Sequence, residues 1–308
     1  MKLSYIIVAG GIEHIKGDGT GTITSVEAFT GNLGRQRLPD LPEDFMGGPV
    51  FMHNGHILTL GSCYGAKDMS FQLNHGIWKP HGTLESRCSS TVTTKAATFI
   101  FGGELTSTTY EYLPKDSKSW LMGKTEIPGG YSQGCAIAVN SEQEIWLIGG
   151  HRTKKRILSF NVNDHTFKEL PHQLNVERWA HKGEWIPYSN KIMITGGFNE
   201  KDNRLNSTEL LDPETGIVTM ASPMNTDRVS HGMGVITMKD EERLVVFGGT
   251  SYRGNNSGLK YLDCVEIYNT QTESWEITDI KLYKPIVELS FLNVKLGDIL
   301  PQLKSCNE

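Results

Sequence analysis

Short apolar segments recur along the chain, and each ends in two small residues. The six segments are IIVAGG (6–11), ILTLGS (57–62), FIFGG (99–103), IWLIGG (145–150), IMITGG (192–197) and LVVFGG (244–249). A short apolar run closed by glycine is typical of a buried β-strand, and no stretch shows helical periodicity of convincing length. The last residues of consecutive segments are 41 to 52 residues apart. This spacing predicts one supersecondary unit per period.

A second pattern has the same period. Its reference positions are one per repeat: 27, 69, 111, 158, 209 and 266. The residue two positions after each of these is apolar: Phe29, Phe71, Leu113, Phe160, Leu211 and Tyr268. Nine steps on, five of the six are large and apolar: Gln36, Trp78, Trp120, Phe167, Val218 and Trp275. This pattern predicts a third strand, a tight turn and a fourth strand with one bulky packing residue.

A further strand precedes each glycine segment. In residues 50–60 the Asn54-Gly55 pair is a hairpin signal, and residues 185–194 repeat the arrangement. Six units of four antiparallel strands predict an all-β fold, a six-bladed β-propeller. Because residue 1 enters almost directly on a second strand, we expect residues 285–294 to supply the missing strand and close blade 1. The predicted domain spans 1–296, and 297–308 is expected to be a tail.

The repeat resembles the kelch repeat over nearly the whole chain. The residues that carry this resemblance are the paired glycines, Val26-Glu27, Val265-Glu266, Trp78, Trp120, Trp275, and an Arg-x-x-His motif at Arg178–His181 and Arg228–His231. Departures from the family pattern are Ser62 for a second glycine, Gln36 and Val218 for tryptophan, and Tyr131 where an arginine is expected. These departures weaken the match of individual blades to the family pattern, but they do not change the predicted number of six blades.

The resemblance implies a protein–protein interaction module that binds a partner peptide or loop, acidic in some family members, on one face. Many kelch propellers are the substrate-recognition domains of cullin-type ubiquitin-ligase adaptors, which recruit the ligase through BTB and BACK domains; no such domain lies in this chain. One alternative is an actin-binding cytoskeletal scaffold. Another is a sugar-processing enzyme with a central pocket near Gln133, Arg178, His181, Arg228 and His231.

Composition narrows these possibilities. The 30 basic and 35 acidic residues give a net charge of −5, which argues against a nucleic-acid footprint. The apolar run Tyr5 to Ala9 is too short for a signal or membrane segment. Five widely spaced cysteines indicate reduced thiols, hence a cytoplasmic or nuclear protein. No catalytic constellation or metal-ligand spacing is recognisable, so we expect a non-enzymatic monomer without cofactor or metal.

The first set of candidate binding residues lies in the longest loops. The connections after the glycine segments are longest in blades 1, 5 and 6, which are neighbours in a closed ring. Loops on a rigid scaffold often carry binding residues, and Arg and Tyr are favoured anchors. The candidates there are Phe198, Arg204, Tyr252 and Arg253. The alternative is that these loops are solvated insertions.

A second set of candidates precedes the innermost strands: Arg87, Tyr131, Arg178 and Arg228. A guanidinium group there could bind an acidic peptide in a bidentate pair, or could instead bond loop carbonyls between blades. Arg152, in the cationic segment 151–156, is the last candidate, and the alternative for it is a solvated turn.

Overall fold

A computed structural model describes residues 4–15, 19–30, 34–61, 69–83, 89–103, 107–201, 203–252, 258–288 and 290–295. Within these ranges the secondary structure is almost entirely β, with one short 3-10 turn at Asn140–Glu142. Every pair of neighbouring strands is antiparallel. Six sheets of four strands each form the blades of the predicted propeller.

Each blade runs from an innermost strand at the central channel to an outermost strand at the rim. In that order, blade 1 contains Ser290–Lys295, Ser4–Ala9, Val26–Thr30 and Gly34–Leu38; blade 2 contains Val50–His53, His56–Leu60, Met69–Asn74 and Ile77–Thr83. Blade 3 contains Ser90–Thr93, Ala97–Phe101, Tyr110–Pro114 and Leu121–Met122; blade 4 contains Cys135–Val139, Glu144–Gly150, Lys154–Asn161 and Phe167–Gln173. Blade 5 contains Lys182–Trp185, Ile192–Thr195, Thr208–Leu211 and Val218–Ala221; blade 6 contains Gly232–Met238, Glu241–Phe247, Cys264–Asn269 and Ser274–Lys281.

The ring closes through the last strand of the chain. The first strands of the six blades contact one another in a circle, with Ser290–Lys295 between those of blades 6 and 2. This strand pairs with the first described strand in a continuous register, from Ser4 opposite Lys295 to Ala9 opposite Ser290. The predicted closing strand is therefore confirmed, although it begins at Ser290. Residues 285–288 form a loop instead, and the predicted tail lies outside the described residues.

The core consists of layers between neighbouring blades rather than one central cluster. Six separate clusters of buried apolar side chains occupy the six blade interfaces. Successive residues of a strand face opposite sides of its sheet, so Ile7 packs toward blade 2 while Ile6 and Val8 pack toward blade 6. Because both faces of a blade are covered, its second strand is buried without alternation, as in Ala97–Phe101 and Ile192–Thr195.

In five of the blades, paired glycines join the blade to the next one. The N–H of the second glycine donates to a carbonyl of the following blade: Gly11 to Phe45 (2.8 Å), Gly103 to Tyr131 (3.1 Å), Gly150 to Arg178 (2.9 Å), Gly197 to Arg228 (2.8 Å) and Gly249 to Ile286 (2.8 Å). The first glycine has a positive φ, and a β-carbon on Gly102 would come within 1.9 Å of the Tyr131 carbonyl oxygen. This close approach requires glycine.

Candidate functional site

Two sets of loops lie together on one side of the ring, which we call the glycine face. They are the loops that follow the glycine segments and the loops that lead into each innermost strand. The two loops of one blade are joined by reciprocal backbone bonds, as between Trp179 and Phe198 (3.0 and 2.9 Å) or Val229 and Thr250 (3.1 and 3.0 Å). Contacts of this kind hold the loops on a common rigid base.

The three long loops of this face fold as hairpins. They are Ile12–Ile15 with Gly19–Thr22 in blade 1, Phe198–Asn199 with Asn203–Arg204 in blade 5, and Thr250–Tyr252 with Leu259–Tyr261 in blade 6. The sequence predicted only long connections in these neighbouring blades. Pairing within each loop satisfies its backbone polar groups away from the main sheets.

A belt of backbone hydrogen bonds links blades 4, 5, 6, 1 and 2 around the mouth of the central channel. Ala180 N–H donates to Gln133 (2.7 Å), Ser230 to Ala180 (3.0 Å), Glu288 to Ser230 (3.3 Å) and Gly47 to Glu288 (3.0 Å). All five residues have φ between 50° and 66°, in the left-handed region. Four of them carry side chains, so the belt is a conformation that tertiary bonds impose rather than one that the local sequence favours.

A cavity of about 290 Å³ lies inside this belt at the channel mouth. Its lining includes Gln133, Lys182, Glu184, Ser230, Ser290 and Phe291. The carboxylate of Glu184 accepts hydrogen bonds from Asn293 (2.9 Å) and from the Trp185 N–H (2.9 Å). Burial nevertheless raises the pKa of Glu184 to about 7. The channel therefore contains a carboxyl group that changes charge near neutral pH.

Arg178 and Arg228 are fully buried and lie in two nearly identical ion pairs. The Nη2 of Arg178 is 2.9 Å from Glu209 Oε1, and its Nη1 donates to the Gly196 carbonyl (2.6 Å). The Nη2 of Arg228 is 2.9 Å from Glu266 Oε1, and its Nη1 donates to the Gly248 carbonyl (2.9 Å). This geometry corresponds to the structural alternative for both arginines. Neither lines the cavity, whereas Gln133 and His181, which were expected with them near a central pocket, do.

The remaining candidates of that set differ in placement. Tyr131 is fully buried, and its hydroxyl donates to the Cys135 carbonyl (2.6 Å), so it presents no side chain to a partner in this structure. Arg87 lies outside the described residues, as does Arg253 of the blade 6 loop.

Two buried histidines adjoin the ion pairs. Burial lowers the pKa of His181 to about 3 and that of His231 well below its usual range, and the neighbouring Arg178 and Arg228 act in the same direction. Both rings are thus neutral near pH 7. His231 Nε2 is 2.9 Å from Thr195 Oγ1, which gives it a packing role within blades 5 and 6.

Arg204 and Tyr252 connect the hairpins of blades 5 and 6. The guanidinium carbon of Arg204 is 4.5 Å from the centre of the Tyr252 ring, and Nη2 donates to Thr250 Oγ1 (3.2 Å). Asp227 holds the same hairpin by accepting bonds from Ser251 Oγ (2.6 Å) and the Tyr252 N–H (3.3 Å). Tyr252 is 51% exposed. The structure thus brings two of the sequence candidates together at a solvent-facing edge.

Phe198 and Arg152 lie farther along the same face. Phe198 packs against Trp179, with ring centres 5.1 Å apart, and Trp179 is also 5.1 Å from the ring of His151. Arg152 is exposed, and its Cδ would be 3.1 Å from a β-carbon on Gly130. Neighbouring Lys154 is paired with Glu177 at 2.9 Å. No ion pair or hydrogen bond joins the Arg152 side chain to any residue the structure describes.

Sequence reasoning missed Trp179 and His151 as residues of this face. Trp179 follows Arg178 in a connecting loop, where the corresponding residues of blades 6 and 1 are Val229 and Val287. A comparison of these loop positions across the repeat would have found the tryptophan, because the equivalent residues named above are both valine.

Neither a metal-binding cluster nor a membrane-spanning helix occurs within the described ranges. No group of three or more His, Cys, Asp or Glu side chains there is arranged to hold a metal ion. No helix there has the length and apolar character needed to cross a membrane.

The family model of the kelch motif matches residues 188–225, which contain the last three strands of blade 5. One blade of the chain thus matches the kelch motif by sequence. It is 26% identical over 159 residues to a kelch repeat-containing protein of Dictyostelium discoideum, covering 50% of this chain and 23% of that protein. It is also 26% identical over 168 residues to Kelch-like protein 15 of Danio rerio, covering 51% of this chain and 24% of that protein. The matches thus span about a quarter of the length of these relatives. Fold and family together indicate a protein–protein interaction module.

Proposed function

We propose that the glycine face binds a peptide or loop of a partner protein, and that the chain is the substrate-recognition part of a cullin-type ubiquitin-ligase adaptor. The observation that supports the binding face is the contact between the blade 5 and blade 6 hairpins. Arg204 and Tyr252 fix these hairpins to each other while leaving Tyr252 half exposed. Exposed aromatic and arginine side chains on a preorganised base are effective anchors for a protein partner.

The kelch family supports the adaptor role, in which attached or associated domains deliver the bound protein to the ligase. The similarity to Kelch-like protein 15 is consistent with this proposal, although the match spans only about a quarter of that relative. The buried ion pairs support a rigid recognition surface rather than a reaction centre. Their guanidinium groups are occupied by Glu209, Glu266 and backbone carbonyls.

The experiment compares proteins captured from cells by wild type, by an Arg204→Ala/Tyr252→Ala variant and by Tyr188→Asn, since asparagine tolerates the positive φ of this position. Tyr188 is 82% exposed in the turn between the first two strands of blade 5, away from the glycine-face loops, and serves as the control. We expect the double variant alone to lose a defined set of partners. Capture of a cullin with wild type, and reduced ubiquitylation of the lost partners with the double variant, would support the adaptor role.

Identical partner sets for all three proteins would contradict binding through this face. Co-sedimentation with actin filaments, without cullin capture, would favour the scaffold alternative instead. An immunoblot of the native gene product adds a separate test, since a product much longer than 308 residues would leave room for adaptor domains.

A further inference from the structure

Blade 5 carries aromatic side chains at two loop positions where other blades do not. Trp179 and Phe198 form the reciprocal backbone bridge between the two loops of this blade. The same bridge joins Val229 to Thr250 in blade 6, and Val287 to Ile12 in blade 1. Because aliphatic and hydroxyl side chains make the identical bridge, the fold does not require the two rings.

These rings form a continuous apolar surface with a neighbour from blade 4. His151 is the residue after the blade 4 glycines, as Phe198 is in blade 5, and its ring meets Trp179 edge-on. We call His151, Trp179 and Phe198 the aromatic patch. His151 is exposed and the other two are partly exposed. The indole N–H of Trp179 has no acceptor among the described residues, so one polar donor borders the apolar surface.

The charge beside the aromatic patch is positive. Arg152 adjoins His151, is exposed, and has no partner in the described chain. Of the other cations in segment 151–156, Lys154 is paired with Glu177 at 2.9 Å and Arg156 with Glu169 at 3.0 Å. An unpaired guanidinium group next to an aromatic surface complements a carboxylate next to an apolar side chain.

We propose that the aromatic patch receives an apolar side chain of an extended partner segment, while Arg152 pairs with an Asp or Glu close to it in that segment. This inference rests on the proposed function, because it specifies which part of the glycine face binds and what the partner must carry. The partner is a protein segment rather than a nucleic acid, because the chain has a net charge of −5 and two other cations of segment 151–156 are already paired with carboxylates.

The test uses a phage-displayed library of random twelve-residue peptides, selected on the wild-type chain. Enriched peptides are synthesised and their dissociation constants measured by fluorescence anisotropy. We expect them to share an apolar residue within three positions of an Asp or Glu. The variant Trp179→Val/Phe198→Thr installs the blade 6 side chains at these positions, so it should fold. It should weaken binding at least tenfold, whereas Tyr188→Asn should change it less than twofold.

Charge reversal tests the second half of the proposal. Arg152→Glu should weaken the binding of the acidic peptides at least tenfold. Replacing the acidic residue of the peptide with lysine should restore binding to this variant. Peptides that bind equally well to wild type and to both sets of variants would overturn the inference. If Arg204→Ala/Tyr252→Ala still weakened the binding of those peptides, the proposed function would remain supported although the aromatic patch would not be part of the site.

Two further outcomes would also overturn it. Failure of the library to yield any binding peptide would count against both the inference and the proposed function. Tight binding of a twelve-nucleotide oligothymidylate, lost in Trp179→Val/Phe198→Thr, would show that the aromatic patch stacks bases instead of receiving a protein side chain.

Discussion

Blades 4 and 6 are joined to the preceding blade by the same glycine N–H to carbonyl bond, but different side chains pack beside this bond. In blade 6 the buried Glu266 accepts bonds from Arg228 and from the backbone N–H groups of Asn225 (2.7 Å) and Thr226 (3.2 Å). In blade 4 the equivalent positions are Leu158 for the glutamate, Tyr131 for the arginine and Pro128 for Asn225. Tyr131 and Leu158 lie in one apolar cluster.

The difference shows which part of the motif the fold needs. Gly103 and Gly197 make the same N–H to carbonyl bond, whether the carbonyl belongs to Tyr131 or to Arg228. The backbone bond is therefore general, and the ion pair is one of two ways to fill the joint. All three members of the blade 6 network are replaced in blade 4. The carboxylate and the guanidinium group are both absent there, and proline lacks the N–H that the carboxylate would accept.

Breaking one half of the blade 6 pair should have the largest effect. Arg228→Met leaves Glu266 buried without its cation, and we expect the free energy of unfolding to fall by about 3–5 kcal/mol. Arg228→Tyr/Glu266→Leu, which copies blade 4, should recover part of this loss. Adding Asn225→Pro should recover more. Urea unfolding followed by tryptophan fluorescence measures all three, and a single variant that lost less than about 1 kcal/mol would refute the comparison.

Glu184 is a partly buried carboxyl group with amide donors instead of a guanidinium partner, which extends the comparison. Its pKa of about 7 in the folded chain exceeds that of an unfolded glutamate, so the fold loses stability as the pH rises from about 4.5 to about 7. Glu184→Gln should therefore be more stable than wild type by about 1–3 kcal/mol at pH 8. This advantage should shrink as the pH falls toward 4.5, where the wild-type group is protonated in the folded state.

The measurement for Glu184 is the difference between wild-type and variant urea curves at several pH values. Using the difference removes the contribution of the buried His181 and His231, which destabilise both proteins equally as the pH falls below about 6.5. A difference that stayed constant from pH 5 to pH 8 would mean that Glu184 does not titrate in this range.

The smallest effect concerns the belt around the channel. Blade 2 has glycine at its belt position, Gly47, whereas blade 5 has Ala180 in the same left-handed conformation. Ala180→Gly should leave thermal stability unchanged or raise it by up to about 1 kcal/mol, since glycine adopts this conformation without strain. Ala180→Val should lower stability by about 1–2 kcal/mol because a β-branched residue resists positive φ. Equal melting temperatures for the two variants would argue against strain in the belt.

Much of the propeller could be predicted because each blade repeats the same local pattern. Asn54 and Gly55 form the predicted hairpin turn, with φ of 49° and 77°. The six apolar residues of the third strands, from Phe29 to Tyr268, are all buried. The site was less predictable. Arg178 and Arg152 look alike as sequence candidates, yet one is buried in an ion pair and the other is exposed without a partner among the described residues.

Apolar periodicity and paired glycines determined, by themselves, the number of blades, the strand order within each blade and the closing strand. These depend on short-range patterning that every repeat reinforces. Tertiary structure alone decided the belt, the pKa of Glu184 and the environment of each arginine. Those properties arise where loops from blades far apart in sequence meet and exclude water, and no local pattern encodes such meetings.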